Sequence, residues 1–507
     1  MMDRIVLLLR KPGSKDAVEG IAPTQRIEKM ETDGGNVTVY VLTPKQAVLD
    51  RWLDWIVSAS GSKVVFCAIL TGLLTWALLG IPYGRTDSWQ VIISDVQAIL
   101  CYVFDSFLVR QQLNAYNTEM NAVAQVQSRL ISHSRMLRAL EPEIREHRPV
   151  YGIPDKSASM IQDLEATLPE SNRFDRAVTL CARILGHLAT TGLFWAGVFI
   201  WIGIGTLRDW SDTWQLYMNS ASSALMVFVF SFLANLHERH SSYMKQFLDA
   251  LFRTDSMLEL KLRELTQDKL ENQPVIVPPP KVNCVQRAIF YYADFVGTLV
   301  GIAILLTVIV AWVAIGPVLH FSANWWLLIG TYAGLVGMHD AFVLRNMQAA
   351  LGSYVDAEQQ KNTKEDERLF RLAGLEMPSA TGEQHNSLTA RVSRVMCQIS
   401  AHELTVVAGF LVIVGLIIGA SAMRWSLTGQ LLCNVPPSII ESFLMLILIT
   451  GHNAEESQKI KELRSMYERR MRLLSFFKRF ESLRDRSTLP PQKLAVDSTF
   501  LRSVSRD

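Results

Sequence analysis

The sequence predicts an all-α integral membrane protein: eight transmembrane helices, arranged as four parallel helical-hairpin repeats around a pseudo-axis, with charged cytoplasmic helices. Three observations predict it. Long stretches lack charge, the stretches repeat in register, and the positive charges fall on one side of them.

The uncharged stretches come first. Residues 64–82, 184–207, 213–237 and 404–423 contain no Asp, Glu, Lys or Arg, and residues 295–339 lack them over 45 positions. A helix needs about 20 apolar residues to cross the hydrocarbon core. The 45-residue run holds two spans with a bend at Gly316-Pro317, and two further spans near 89–109 and 430–451 carry isolated acids. That makes eight helices. The short apolar stretch Ile5–Leu9 is not a signal peptide, being too brief and followed by polar sequence. The six cysteines are scattered with no C-x-x-C pair, which predicts neither a disulfide framework nor a zinc site.

The repeat is ungapped. Arg51, Gly61, Trp76, Gly80 and Trp89 recur 125 residues on as Arg176, Gly186, Trp201, Gly205 and Trp214. They recur 111 further on as Arg287, Gly297, Trp312, Gly316 and Trp325. A fourth copy has lost the Trp and Gly marks and aligns best at a further offset of 104, with Leu431-Leu432 on Leu327-Leu328. Tryptophans at these places fit a boundary belt. With Gly80, Gly205 and Gly316 they mark the fold at the hairpin turns, not the site.

Of 50 Lys and Arg residues, the turns 83–88, 205–213, 316–324 and 423–429 contain only Arg85, Arg208 and Arg424. By the positive-inside rule the termini and long connectors are cytoplasmic. All four hairpins then enter from and return to the same side, and parallel repeats are related by an axis along the membrane normal. The ring closes either within one chain or between two, so a homo-oligomer stays open.

The expected organisation is a polar tail (1–50), hairpin one (51–112), a connector (113–175), hairpin two (176–237) and a helical connector (238–286). Hairpin three (287–348), a connector (349–393), hairpin four (394–453) and a C-terminal helix and tail (454–507) follow. Asn36–Val41 alternates like a short strand. Residues 243–265 and 455–485 show helical spacing among charges and are expected to extend or pack beside the membrane helices.

The second helix of each hairpin carries the polar residues. Gln90, Ser94, Gln97, Cys101 and Asp105 fall on one helical face. Their equivalents are Gln215, Asn219, Ser222, Met226 and Phe230; Trp326, Gly330, Ala333, Gly337 and Ala341; and Gln430, Asn434, Pro437, Glu441 and Met445. Amide and carboxylate oxygens suit harder divalent cations, and thiol and thioether suit softer ones. A mixed set short of a closed cage binds weakly, as a conduction path requires. Acids at membrane depth are costly and mark function by default. Asp95, Asp105, Asp340 and Glu441 qualify, with His339 beside Asp340. Interhelical packing is the competing role for any single Ser, Asn or Gln, a pair with Arg345 is the competing role for Asp340, and packing is the competing role for Cys101.

Ser211-Asp-Thr-Trp-Gln215, Leu216-Tyr-Met-Asn-Ser220 and Phe230-Ser-Phe-Leu-Ala-Asn235 resemble the low-affinity iron permease family. Hairpin one echoes them in Thr86-Asp-Ser-Trp-Gln90 and Asp105-Ser-Phe-Leu108. The resemblance spans about 50–480, toward the larger fungal iron(II) transporters. Hairpin three departs from it with Asn324-Trp-Trp326, and hairpin four lacks the Trp. The resemblance implies a plasma-membrane permease that takes up Fe²⁺ at low affinity as its transported substrate, with Cu and Zn secondary. No cofactor, nucleic-acid partner or enzymatic activity is expected, and no Walker A loop occurs. Uptake would be driven by the membrane potential. The alternatives are a channel for protons or monovalent ions, and a scaffold or sensor acting through its cytoplasmic helices.

Overall fold

The computed structural model describes residues 17–26, 48–84, 86–146, 172–378 and 388–488. Asn36–Val41 lies outside them. The element order is a short helix, an apolar helix and a very long helix, four times over. The first set is α1 (Val48–Ser60), α2 (Lys63–Tyr83) and α3 (Asp87–Glu146). The second is α4 (Arg173–Leu185), α5 (Leu188–Gly205) and α6 (Asp212–Thr266). The third is α7 (Cys284–Val296), α8 (Leu299–Ile315) and α9 (Ala323–Leu372). The fourth is α10 (Leu388–Ala401), α11 (Glu403–Ala422), and a long helix in two pieces, α12 (Leu427–Leu432) and α13 (Val435–Thr488).

Among the described residues, seven helices are long and apolar enough to cross a membrane. The 17-residue α8 makes the eighth when taken with α7, from which it bends by 65°. Of the two arrangements expected for the charged segments, extending the membrane helices or packing beside them, the structure shows the first: each second span runs on into the charged helix after it. At 1.5 Å per residue the 60 residues of α3 extend about 90 Å, three times the hydrocarbon thickness. Helical periodicity passes unbroken from the apolar stretch into the charged one, so nothing ends the helix between them.

The short first helices were not foreseen. Each is amphipathic and leaves large apolar side chains exposed: Trp52 and Trp55 on α1, Leu180 and Ile184 on α4, Val392 and Ile399 on α10. Amphipathic helices of this kind suit a membrane interface. A sharp bend joins each to its apolar helix, at Gly61, Gly186, Gly297 and Ala401, which are equivalent positions at offsets of 125, 111 and 104. A side chain from another set's long helix bonds the carbonyl at every bend. Asn235 donates to Gly61 at 2.8 Å, Thr450 to Gly186 at 3.1 Å, Arg110 to Gly297 at 3.2 Å and Asn346 to Ala401 at 2.7 Å. The four donors are themselves equivalent by the same offsets. The first set is therefore held by the second, the second by the fourth, the fourth by the third, and the third by the first.

Beyond the crossing segments the long helices continue as a bundle with its own core, including Leu130, Leu137, Phe252, Phe370 and Phe477. A buried ionic network ties all four together. Arg129 of α3 meets Glu259 at 3.0 Å and Asp255 at 3.4 Å, both on α6. Arg470 of α13 meets Asp255 at 2.6 Å and also Asp366 of α9, which Arg469 approaches to 2.8 Å. Deleting one member of such a network strands its partner's charge, at about 3–5 kcal/mol. A two-stranded antiparallel ribbon, β1 (Val18–Gly20) with β2 (Val275–Val277), packs on α3. A Cβ on Gly20 would lie 2.5 Å from that of Ala124, so only glycine permits this approach.

Candidate transport path

The turns between each apolar helix and the long helix after it open the site. Trp76 stacks on Trp89 with centroids 4.4 Å apart, Trp201 on Trp214 at 3.9 Å, and Trp312 on Trp325 at 4.3 Å, all within 5° of parallel. In the first and third pairs each indole N–H donates to the other tryptophan's carbonyl, at 2.8–3.2 Å. Glycine opposite is required: a Cβ on Gly80 would come 2.6 Å from Trp89, on Gly205 2.7 Å from Trp210, and on Gly316 2.4 Å from Phe321. The second, third and fourth turns each contain two successive left-handed residues, Asp209-Trp210, His320-Phe321 and Arg424-Trp425. Phe321 and Trp425 are 104 apart, so the fourth turn shares the register although Gly429 replaces the second Trp. Gln215 donates to the Trp210 carbonyl at 3.2 Å and Gln430 to that of Trp425 at 3.0 Å. The outermost glutamines therefore hold the turns. The side chain of Gln90 lies outside the described residues.

One layer deeper, Asn219 donates to Ser94 at 2.9 Å. A Cβ on Gly330 would lie 2.8 Å from Asn434 Nδ2 and 3.6 Å from Ser94 Oγ. The four equivalent positions of this layer thus meet. Here the fourth long helix breaks, between α12 and α13, at Cys433-Asn434. Pro436 and Pro437 explain the break: they lack the N–H groups that would bond Leu432 and Cys433, and the first turn of a new helix tolerates them. Interrupted backbone at membrane depth occurs where it is buried in protein or lines a polar cavity. Below it Ser222 and Ser438 are 3.0 Å apart, Ser223 donates to Gln97 at 3.3 Å, and the Gln97 amide reaches Cys101 Sγ at 3.4 Å.

The next two layers carry the acids. Cys101, Met226 and Glu441 are buried at equivalent positions, with Gly337 as the fourth. Glu441 leans across that glycine: a Cβ there would lie 2.6 Å from Oε1. Asp105 follows one turn on, buried at the register position of Phe230, Ala341 and Met445. Cys101 interacts electrostatically with Glu441 and Asp105, and Asp105 with Glu441 and Asp340. Neither oxygen of Asp105 or of Glu441 has a hydrogen-bond partner among the described residues. Carboxylates stripped of water and within reach of one another repel strongly at low dielectric, and a divalent cation relieves both penalties.

Asp340 stands one position round from this face and accepts a 2.6 Å hydrogen bond from Tyr292 of α7. Arg345, considered above as its partner, instead bonds Gln348 at 2.6 Å and the Cys397 carbonyl at 3.0 Å. His339 turns outward onto Tyr292 and Phe410. Asp95 is buried on the flank of α3 next to Ser94, with Oδ2 unpartnered among the described residues. Neither His339 nor Asp95 joins the layers.

Leu108, Leu233, Leu344 and Leu448 come next, equivalent by the same three offsets and each 0% exposed within one core cluster. Beyond them lies a cavity of about 610 Å³, whose walls include Gln112, His237, Gln348 and His452. These four again share one register position. Identical leucines at the repeat offsets were a visible sequence signal for the apolar layer, as Pro436-Pro437 was for the break.

These features define a polytopic α-helical membrane protein with a polar, acid-bearing interior. The low affinity iron permease family model matches residues 174–275, 286–358 and 389–476, and the chain belongs to that family. It is similar to the low-affinity iron/zinc ion transport protein fet4 of Schizosaccharomyces pombe, 35% identical over 442 residues, covering 87% of this chain and 75% of that one. It is also similar to a low-affinity Fe(2+) transport protein of Saccharomyces cerevisiae, 32% identical over 463 residues, covering 85% and 84%. No solved structure matches.

Proposed function

We propose that this chain takes up divalent transition metal at low affinity across the plasma membrane, with Fe²⁺ the first substrate and Zn²⁺ and Cu secondary. The four three-helix sets are hairpin repeats about a pseudo-fourfold axis, and the metal passes between their long helices. The cyclic order of the four bend contacts supports that axis. The bundle face, rich in Lys and Arg, is cytoplasmic by the positive-inside rule.

The observation that carries this reading is the pair Asp105 and Glu441, buried without hydrogen-bond partners beside Cys101 and Met226. Two carboxylates attract a divalent cation entering past the Ser94, Asn219 and Asn434 oxygens. The sulfurs favour a transition metal over Mg²⁺ or Ca²⁺. Below them the four leucines form an apolar constriction, which closes a path by excluding water. The membrane potential drives a divalent ion inward, at about 2.3 kcal/mol per charge per 100 mV. Iron and zinc transport by the relatives supports the same substrate class.

The test is radio-iron uptake by a Glu441→Gln, Asp105→Asn double variant at matched surface expression. Loss of most saturable uptake is expected. Unchanged uptake removes these acids from the path, and proton currents without iron accumulation favour a non-metal channel.

A further inference from the structure

A second cluster of metal-ligating side chains stands outside the acid layers. His240 of α6 and His452 and Glu456 of α13 each bring a ligand atom to within 4.8 Å of the others. His452 and Glu456 are one turn apart on α13 and project from one face. His240 Nδ1 lies 3.5 Å from Glu456 Oε1. The His452 ring sits edge-on to His237 at 4.5 Å and to His240 at 5.3 Å. His452 is 5% exposed, and its Nε2 has no hydrogen-bond partner among the described residues.

A buried ring nitrogen that forgoes water without gaining a partner is costly. A metal ion would satisfy it, since neutral imidazole is a common metal ligand. The neighbouring cations bond elsewhere: Lys459 lies 2.7 Å from Glu119, and Arg239 donates to the Asp175 carbonyl at 2.7 Å and to Thr179 at 2.8 Å. All three ligands border the 610 Å³ cavity, so an ion has a way in. Two imidazoles and one carboxylate suit Fe²⁺ or Zn²⁺ better than Mg²⁺ or Ca²⁺.

We propose that His240, His452 and Glu456 form a second divalent transition-metal site, at the bundle-side mouth of the path, that ties α6 to α13. The proposal rests on the path described above only for how metal arrives; binding itself does not require that path. The tie falls close to the constriction, because Leu448 precedes His452 by one turn and Leu233 precedes His240 by two.

The experiment uses the purified full-length chain in detergent. Co²⁺ is titrated by its visible absorption, and thermal unfolding is followed with and without Zn²⁺. The Glu441→Gln, Asp105→Asn variant is expected to keep one saturable Co²⁺ band and a Zn²⁺-induced rise in Tm. In the same background, His240→Ala with His452→Ala loses both. Glu456→Gln, which preserves the imidazole packing and so decides the matter if the double-His variant does not fold, weakens Co²⁺ binding by more than about tenfold. Wild-type Co²⁺ binding in Glu456→Gln and in the double-His variant would overturn the proposal and leave a packing pair. Loss of all Co²⁺ binding in the acid variant would also overturn it. Radio-iron uptake, measured separately, reports on the acid path, so the two readings fail independently.

Discussion

The carboxylate of Glu441 lies directly over the backbone of Gly337, so close that a methyl group at 337 would come within 2.6 Å of Oε1 and 3.0 Å of Cδ. The third helix set gives up a side chain here and the fourth places an acid in the space. The missing side chain in the third copy and the acid in the fourth are one feature.

Gly337→Ala is therefore expected to displace the Glu441 carboxylate and to lower the initial rate of iron uptake by roughly an order of magnitude, equivalent to about 1.4 kcal/mol. Gly415→Ala, where nothing lies within 4 Å of the added Cβ, is the control and is expected to transport normally. Comparison of uptake rates at equal surface expression decides it. Full activity in Gly337→Ala would mean that the position of the Glu441 carboxylate does not matter.

The leucine layer makes a prediction of opposite sign. Leu233→Ser or Leu448→Ser places a hydroxyl in a constriction whose four members are fully buried. An apolar constriction blocks ions by staying dry, and a polar group in it lowers that barrier. Resting cation leak, measured as holding current in voltage-clamped cells, is expected to rise several-fold above wild type. A leak equal to wild type in both variants would place the closure elsewhere.

The bundle is expected to weaken on acidification. Burial pushes the His133 imidazole from its ordinary 6.5 down to about 3, with Arg470, Arg129 and Arg263 adding to the depression and Asp255 opposing it. Between those values the unfolded chain binds a proton that the folded one refuses. Stability is then complete above pH 6.5 and falls as pH drops, by about 1.4 kcal/mol per unit once well below 6.5. His133→Gln removes that share of the slope. Thermal unfolding of wild type and variant between pH 7.5 and 5 measures it, and identical slopes would show that His133 already carries a proton in the folded protein.

The sequence by itself determined the membrane class, the three strong copies of the repeat and the polar faces of the second helices. Uncharged runs and residue identity at fixed spacing need no knowledge of contacts. It also indicated the face bearing Cys101, Met226, Glu441 and Asp105, because a helix places positions three and four apart on one side whatever surrounds it. The tertiary structure decided what those faces meet. Gln215 and Gln430 have the composition of ligands, yet their amides hold the turns, and His339 lies in a span but turns outward. Asp340 takes a tyrosine from a helix that sequence reasoning did not foresee. The bend donors Arg110, Asn235, Asn346 and Thr450 share a register position, but only Asn235 and Asn346 share a side-chain chemistry, so identity across the four copies does not mark them. Their order around the molecule, first to second to fourth to third, is a property of packing between helices far apart in the chain, which local periodicity does not encode. The cluster of His240, His452 and Glu456 came from the same cause, since its members are 212 or more positions apart across two helices until those helices pack.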